Sequence, residues 1–188
     1  MRRRLVVIVV AVILAVRVLG PVSVRAAQDD PRLDTLFARL QITKDENEAA
    51  RLTKEIWSIW RHADVPTVQW MMIESQRFMD AGILDSALGG FSLIVEAAPN
   101  FAEGWHKRAT VNFLIGNFKE SIQDIRKTVT LEPRHFGAYA GLGLIYLKMG
   151  QEKAALKALE RALEINPHLP GTRKTVEELR EKLEGEKI

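Results

Sequence analysis

The chain contains no cysteine. This absence excludes disulfide bonds, thiol nucleophiles and metal sites with thiolate ligands, so stability must come from the packing of side chains. Histidine is sparse as well, with four residues in 188. No two histidines have the i, i+4 spacing of a helical metal motif, and no cysteine or clustered aspartate joins them. We therefore predict no metal site and no cofactor.

Signatures of catalysis are missing too. The glycines of GLGLIYLKMG, residues 141–150, lie in and at the end of a predicted helix, without the strand that a dinucleotide fingerprint requires. The serines lie on predicted helices rather than in a strand-turn-helix elbow. We expect neither an enzyme nor a small-molecule substrate.

No apolar run is long enough for a transmembrane helix. Residues 5–16 are 12 consecutive apolar residues, and Arg17 ends the run short of the ~20 residues needed to cross a bilayer. Three arginines precede the run, and Val24 and Ala26 are small residues at the positions that specify cleavage. We interpret residues 1–26 as a signal peptide cleaved near Ala26, with a retained membrane anchor as the alternative. We expect an exported protein, periplasmic in a bacterial host.

Neither sign of charge is in large excess. The whole chain has 27 basic and 24 acidic residues, a formal net charge of +3. Residues 1–26 contain five arginines and no acidic residue, so cleavage leaves 22 basic against 24 acidic residues and a net charge of −2. A nearly neutral chain offers no electrostatic basis for binding nucleic acid.

What the sequence does contain is a repeat, whose period is the interval from Gly116 to Gly150. In residues 136–167, apolar residues recur at helical spacing on two segments separated by a glycine turn. The same residue types recur when the pattern is moved back by one period and by two. They are Gly82, Gly116 and Gly150 at the turn, and Pro99, Pro133 and Pro167 at the end.

This pattern resembles the tetratricopeptide repeat (TPR), in which an aromatic residue on a first helix is followed by Ala, a large apolar residue and Pro on a second helix. Trp105 and Tyr139 fill the aromatic position, and Ala87 and Phe91 fill the next two. The resemblance implies an all-α fold, a right-handed solenoid of antiparallel helix pairs. It covers residues 68–169 well and residues 32–67 only loosely.

We divide the chain according to this pattern. The predicted segments are a signal peptide at 1–26, a linker at 27–31, a divergent N-terminal helical hairpin at 32–67, repeats at 68–101, 102–135 and 136–169, and a capping helix at 170–184. The last segment has an apolar seam backed by charges, as the exposed end of a solenoid requires.

Two glycines and two histidines carry local predictions. Gly89 and Gly90 lie inside a predicted helix, where each glycine costs up to ~1 kcal/mol relative to alanine. Close approach of a neighbouring helix explains them, and a functional hinge is the alternative. His135 and His168 lie at the turns between repeats, where we expect turn or capping roles.

The second repeat departs most from the family's pattern, with Arg108 where leucine is usual and Asn112 where tyrosine is usual. Equivalent positions of successive repeats lie side by side. We therefore predict a partly buried ion pair between Arg108 and Glu74, because an unpaired charge between packed helices is strongly destabilising. The alternative is that Arg108 reaches solvent along its aliphatic stem.

In the family, the first helices of successive repeats line a concave face on which peptides lie. The family's carboxylate clamp of Lys, Asn and Arg is absent here. The predicted groove is mostly apolar, with a few amides, and consists of Gln69, Met72, Gln76, Met79, His106, Thr110, Phe113, Ala140, Leu144 and Leu147. Since methionine adapts to irregular apolar partners, we expect an interaction scaffold for an apolar or amphipathic peptide segment of another protein.

A structural role is the alternative. A self-assembling protein would cover the same surface with its own N-terminal hairpin or with a second copy of the chain, as a homo-oligomer. The same residues can also belong to the core, since three repeats curve tightly. The sequence does not identify the partner.

Overall fold

The structure, a computed structural model, describes residues 27–185. The predicted signal peptide, residues 1–26, lies outside the described residues. Within residues 27–185 the regular structure is helical: a short 3-10 turn at Ala27–Asp29 is followed by nine α-helices. None of these nine combines the length and the apolar character that spanning a membrane requires.

Two helices form the N-terminal hairpin, α1 (Arg32–Ile42) and α2 (Glu46–Trp60). Asp45 begins α2, because its carboxylate accepts hydrogen bonds from the backbone amides of Asn47 and Glu48 and so satisfies donors that the helix leaves free.

Three helix pairs and a last helix follow. They are α3 (Pro66–Asp80) with α4 (Leu84–Ala97), α5 (Ala102–Leu114) with α6 (Phe118–Leu131), α7 (Phe136–Lys148) with α8 (Glu152–Ile165), and α9 (Pro170–Gly185). The turns inside the pairs contain Gly82, Gly116 and Gly150, with φ of +73°, +84° and +69°. Only glycine adopts this left-handed conformation without strain, which is why it recurs once in every repeat.

Each pair shares an apolar cluster with the helix that follows it. Phe91 of α4 packs with Val111 of α5, and Ile125 of α6 packs with Ala138 of α7. At the C-terminal end, Leu159 of α8 packs against Val176 of α9. The last helix thus covers the final apolar face of the stack, and its charged residues face solvent.

The N-terminal hairpin lies along the turns that join one repeat to the next, at 98–101, 132–135 and 166–169. Asp34 and Thr53 of the hairpin bind Arg134 (2.6 Å) and Asn166 (3.2 Å) in the second and third turns, and Gln41 donates to the Ile165 carbonyl just before the third turn (2.6 Å). Gln28, which precedes the hairpin, reaches the first turn by donating to the Asn100 carbonyl (2.7 Å).

Apolar contacts also join the hairpin to the third repeat. Trp60 of α2 packs with Phe136 at the start of α7 and with Ile165 at the end of α8. The repeat furthest away in sequence is therefore the one that shares the hairpin's core. The interpretation of residues 32–67 as a divergent repeat stays a prediction.

Candidate functional site: the concave face

The predicted ion pair between Glu74 and Arg108 is wrong. Arg108 binds Asp124 on the second helix of its own repeat, with guanidinium nitrogens 2.7 and 2.9 Å from the two carboxylate oxygens. Asn112 donates a hydrogen bond to the same carboxylate at 3.2 Å. Because the Asp124 side chain is only 5% exposed, this pairing offsets the cost of burying its charge.

Glu74 instead binds Arg77 on its own helix, at 2.7 Å. The position of Arg77 corresponds to Val111 one repeat later, which is buried against α4. Since α3 begins the stack of repeats, Arg77 is exposed at a position where the next repeat carries a core residue.

The ten predicted groove residues differ in how deeply they are buried. Met72 lies in the core of the first repeat with Phe91 and is 5% exposed, so its assignment to the groove is wrong. Met72 lies on the face of α3 that packs against α4, and apolar side chains on that face are buried. Three others are partly buried against the cores of their own repeats. These are Met79, Phe113 and Leu147.

The polar members make local hydrogen bonds. Gln69 accepts one from the amide of Ala63 at 2.7 Å, just before α3, and Gln76 donates to Asp80 at 2.7 Å. The Thr110 hydroxyl donates to the carbonyl one turn earlier in α5. Their groove role stays a prediction.

Part of the concave face remains open. Gln76, Thr110 and Leu144 occupy equivalent positions of α3, α5 and α7, and Ala140, half-buried, precedes Leu144 by one turn. Two exposed apolar residues that the sequence analysis missed extend this surface. We call Ile73, Leu114 and Leu144, which are 45%, 52% and 48% exposed, the open strip.

Helix α2 covers the other part of the concave face, near the start of α7. The indole of Trp57 lies 5.6 Å from the ring of His106 on α5 and 5.4 Å from the ring of His135, measured between centroids. Trp60 stacks on His135 with a centroid distance of 4.2 Å and an interplanar angle of 10°. The protein's own hairpin thus occupies this part of the surface, one of the two occupants expected for a structural role.

A buried carboxylate lies beneath this contact. Glu103 Oε2 is 3.1 Å from His106 Nδ1 and 3.1 Å from His135 Nε2. His135 Nδ1 accepts the backbone amide of Ala138 at 3.1 Å, so Nε2 carries the proton and donates to Glu103. His135 therefore caps α7, which confirms the capping role predicted for it.

The protonation states follow from burial and hydrogen bonding. Burial alone would raise the pKa of Glu103, but the charge of His106 and the hydrogen bonds from His106 and His135 hold that pKa well below its usual range. Burial lowers the pKa of His135, and neighbouring His106 lowers it further, against the opposing effect of Glu103. At neutral pH Glu103 is ionised and His135 is neutral.

The three groups are close enough to raise the question of a metal, since their ligand atoms lie within 4.8 Å of one another. Their hydrogen bonds argue against one. A metal at His135 Nε2 would move the ring proton to Nδ1, which would then face the amide hydrogen of Ala138. The ammonium of Lys107, 3.7 Å from Glu103 Oε1, adds a positive charge to the site.

Comparison with known proteins identifies the family. A sequence profile described as the tetratricopeptide repeat matches residues 137–169. A TPR repeat-containing protein of Rhizobium etli is 34% identical over 166 residues, which cover 87% of this chain and 81% of that protein. The chain belongs to the tetratricopeptide repeat family.

Solved TPR structures share the fold. The first TPR of Spaghetti (RPAP3), bound to an HSP90 peptide, SRMEEVD, superposes with a TM-score of 0.59 at 20% identity, covering 62% of this chain and 92% of that one. MamA superposes with a TM-score of 0.57 at 21% identity, covering 80% of each chain. The predicted TPR solenoid is thereby confirmed.

Proposed function

We propose that this TPR protein is a non-catalytic interaction scaffold in an exported compartment, and that it binds an apolar segment of a partner protein on the open strip of its concave face. The observation that carries this proposal is the exposure of Ile73, Leu114 and Leu144 on the first helices of three successive repeats. Such helices lie side by side, so their exposed apolar residues combine into one surface.

The charges nearby favour an apolar segment over an acidic tail. Lys107 and Arg108, on the first helix of the second repeat, already face the carboxylates of Glu103 and Asp124. A ligand carboxylate would have to compete with these partners. The peptide bound to the first TPR of Spaghetti supports the use of a TPR surface for binding a peptide. The acidic sequence of that peptide is a feature of that complex and is not carried over to this chain.

Export is supported by the sequence of residues 1–26, with its basic start, apolar run and small residues before Ala27. Fusing this segment to a reporter that works only outside the cytoplasm tests the proposal directly. An exported, shortened product supports it. A reporter that stays inside the cell contradicts it.

Selection from a random peptide library on residues 27–188 tests the binding surface. We expect apolar or amphipathic peptides, and we expect Leu114→Ser combined with Leu144→Ser to raise their Kd by at least tenfold, on the order of the burial of two leucine side chains. Leu93→Ser is the matched control, since Leu93 is 57% exposed but lies on α4, a second helix. Equal loss of binding in both variants, or none in either, would contradict the assignment.

Self-assembly is the second candidate function. Trp70, on the face of α3 where a repeat would stack, is 63% exposed, an unusual position for a large aromatic side chain. Light scattering coupled to size-exclusion chromatography separates the two candidates. A dimer that Trp70→Ser abolishes would support self-assembly, and a monomer at all concentrations would exclude it.

A further inference from the structure

The N-terminal hairpin is joined to the repeats through a buried cluster that contains titratable groups. Glu103 and His135 have fully buried side chains, and the His106 side chain is nearly so. Above them lie the two indoles of α2, Trp57 and Trp60. We propose that Glu103, His106 and His135 form an acid-sensitive latch that holds α2 over the concave face, and that acidification opens the hairpin while the repeats stay folded.

Protonation of His135 is incompatible with the closed arrangement. Its Nε2–H already donates to Glu103, so a second proton must go to Nδ1. There it would meet the amide hydrogen of Ala138, whose nitrogen is 3.1 Å away, and α7 would lose its cap. The face of Trp60 attracts a cation. That attraction does not compensate for the cost of burying a charged ring that has lost a hydrogen bond.

Charged and titratable groups lie around His135 on several sides. Glu103 and His106 face it from α5, and the ammonium of Lys107 lies 3.7 Å from Glu103 Oε1. Glu132, at the end of α6, is paired with Arg134, which precedes His135 in the chain. Helix α2 contributes the indoles of Trp57 and Trp60. His106, 4.5 Å away between ring centroids, lowers the pKa of His135, while Glu103 and Glu132 raise it.

The direction of the pH effect follows from the lowered pKa of His135. Burial is the largest cause of that lowering, and the indoles of α2 contribute to the burial, so His135 takes up a second proton less readily in the closed state; opening moves its pKa back toward the ordinary value of 6.5. Closure is therefore fully favoured above about pH 6.5 and weakens as the pH falls below that value. One proton changes the closing equilibrium by at most about tenfold per pH unit.

The effect stays local because the repeats have cores of their own. The clusters around Phe91, Ile125 and Leu159 lie between consecutive helices of the stack and contain none of the three latch residues. The hairpin is attached to α3 by residues 61–65, of which most are exposed. Units of this kind open separately from the global transition. Opening would uncover Gly137 and His106 and lengthen the concave face; its effect on partner binding rests on the proposed function.

Amide hydrogen exchange between pH 7.5 and 4.5, corrected for intrinsic rates, measures opening without any partner. We expect protection of residues 32–60 to fall by several-fold to tenfold between pH 6.5 and 5.5, while residues 118–131, whose apolar cluster contains no hairpin residue, keep theirs. Because the chain has no cysteine, Lys44→Cys with Lys119→Cys also allows spin-label distances to be measured. We expect a second, longer distance to appear at pH 5.5.

His135→Asn separates the latch from general acid sensitivity. Asparagine can cap α7 as histidine does but has no proton to gain, so the change between pH 6.5 and 5.5 should disappear. His62→Asn is the matched control, since His62 is exposed and should leave the wild-type profile unchanged. If His135→Asn does not fold, Glu103→Gln serves instead. It removes the charge that raises the pKa of His135 and should move the pH-dependent part of the opening to lower pH.

Three results would overturn the latch. These are unchanged protection of residues 32–60 down to pH 4.5, simultaneous loss of protection in residues 32–60 and 118–131, and a wild-type pH profile in His135→Asn. None of these measurements involves a peptide. A failed latch therefore leaves the proposed binding surface untouched, and a failed peptide selection leaves the latch untouched.

Discussion

The indole of Trp57 lies directly against the backbone of Gly137: a Cβ atom added to Gly137 would be 2.6 Å from the ring. Here helix α2 meets the first turn of α7 with no room for a side chain. Position 137 requires glycine because a side chain there would prevent helix α2 from packing over the concave face. Trp57 and Gly137, which form this contact, are far apart in the sequence.

We expect Gly137→Ala to push α2 away from α7. Overpacking of a buried contact typically costs about 1–3 kcal/mol, and here the loss falls on hairpin closure. Hydrogen exchange should show faster exchange in residues 32–60 with residues 118–131 unchanged. Gly171→Ala is the control, since nothing lies within 4 Å of a Cβ at that position. Unchanged exchange in Gly137→Ala would show that Trp57 moves aside freely.

The neighbouring glycines of α4 should respond with opposite signs. A Cβ on Gly90 would lie 2.1 Å from Ser75 Oγ and 3.1 Å from Ser75 Cβ, whereas a Cβ on Gly89 meets nothing within 4 Å. We expect Gly90→Ala to lower the free energy of unfolding by about 1–2 kcal/mol. We expect Gly89→Ala to raise it by up to about 1 kcal/mol, through helix propensity alone. Urea denaturation of the pair measures both, and a loss in both would contradict the geometry.

The repeat architecture could be predicted from sequence because it depends on local features. Helical periodicity and a glycine turn in every repeat place the helix pairs to within a few residues, as Gly82, Gly116 and Gly150 show. Close helix approach, predicted for Gly89 and Gly90, is confirmed for Gly90 only. When two glycines are adjacent in a helix, the repeat period does not show which of them faces the neighbouring helix.

The site could be predicted less well because it depends on contacts outside the repeat pattern. The repeat period places Glu74 and Arg108 at equivalent positions, but Arg108 binds Asp124 on the second helix of its own repeat. The latch was missed for a related reason. Glu103 and His106 are spaced i, i+3 on one helix face, and His135 comes one position before the next repeat. The spacing of residues along a single helix therefore does not show that these three side chains meet in the fold.

Removing Asp124 should destabilise the second repeat. Asp124→Ala leaves Arg108 partly buried without its carboxylate and frees the Asn112 amide, so we expect a loss of about 2–3 kcal/mol, below the range for a fully buried pair because Arg108 is partly exposed. Glu74→Ala should cost less than about 0.5 kcal/mol, since its ion pair with Arg77 is at the surface. Urea unfolding of both variants checks the expected ranking. A larger loss for Glu74→Ala would restore the pairing that the structure contradicts.

Removing Glu103 tests the buried cluster at neutral pH. Glu103→Ala leaves the Nδ1–H of His106 and the Nε2–H of His135 without their acceptor. Each buried donor left unpaired costs about 1–3 kcal/mol, so for the two donors we expect a loss of about 2–6 kcal/mol. Glu103→Gln keeps an acceptor oxygen and should lose less than Glu103→Ala. The loss should also depend on pH, because the carboxylate's low pKa contributes stability that is fully present above pH 4.5 and decreases progressively as the pH falls below that value. Urea unfolding of wild type and both variants at pH 7 and pH 4 measures this. The gap in free energy of unfolding between wild type and the variants should be narrower at pH 4 than at pH 7, and a gap that widens on acidification would mean that Glu103 is not ionised in the folded protein.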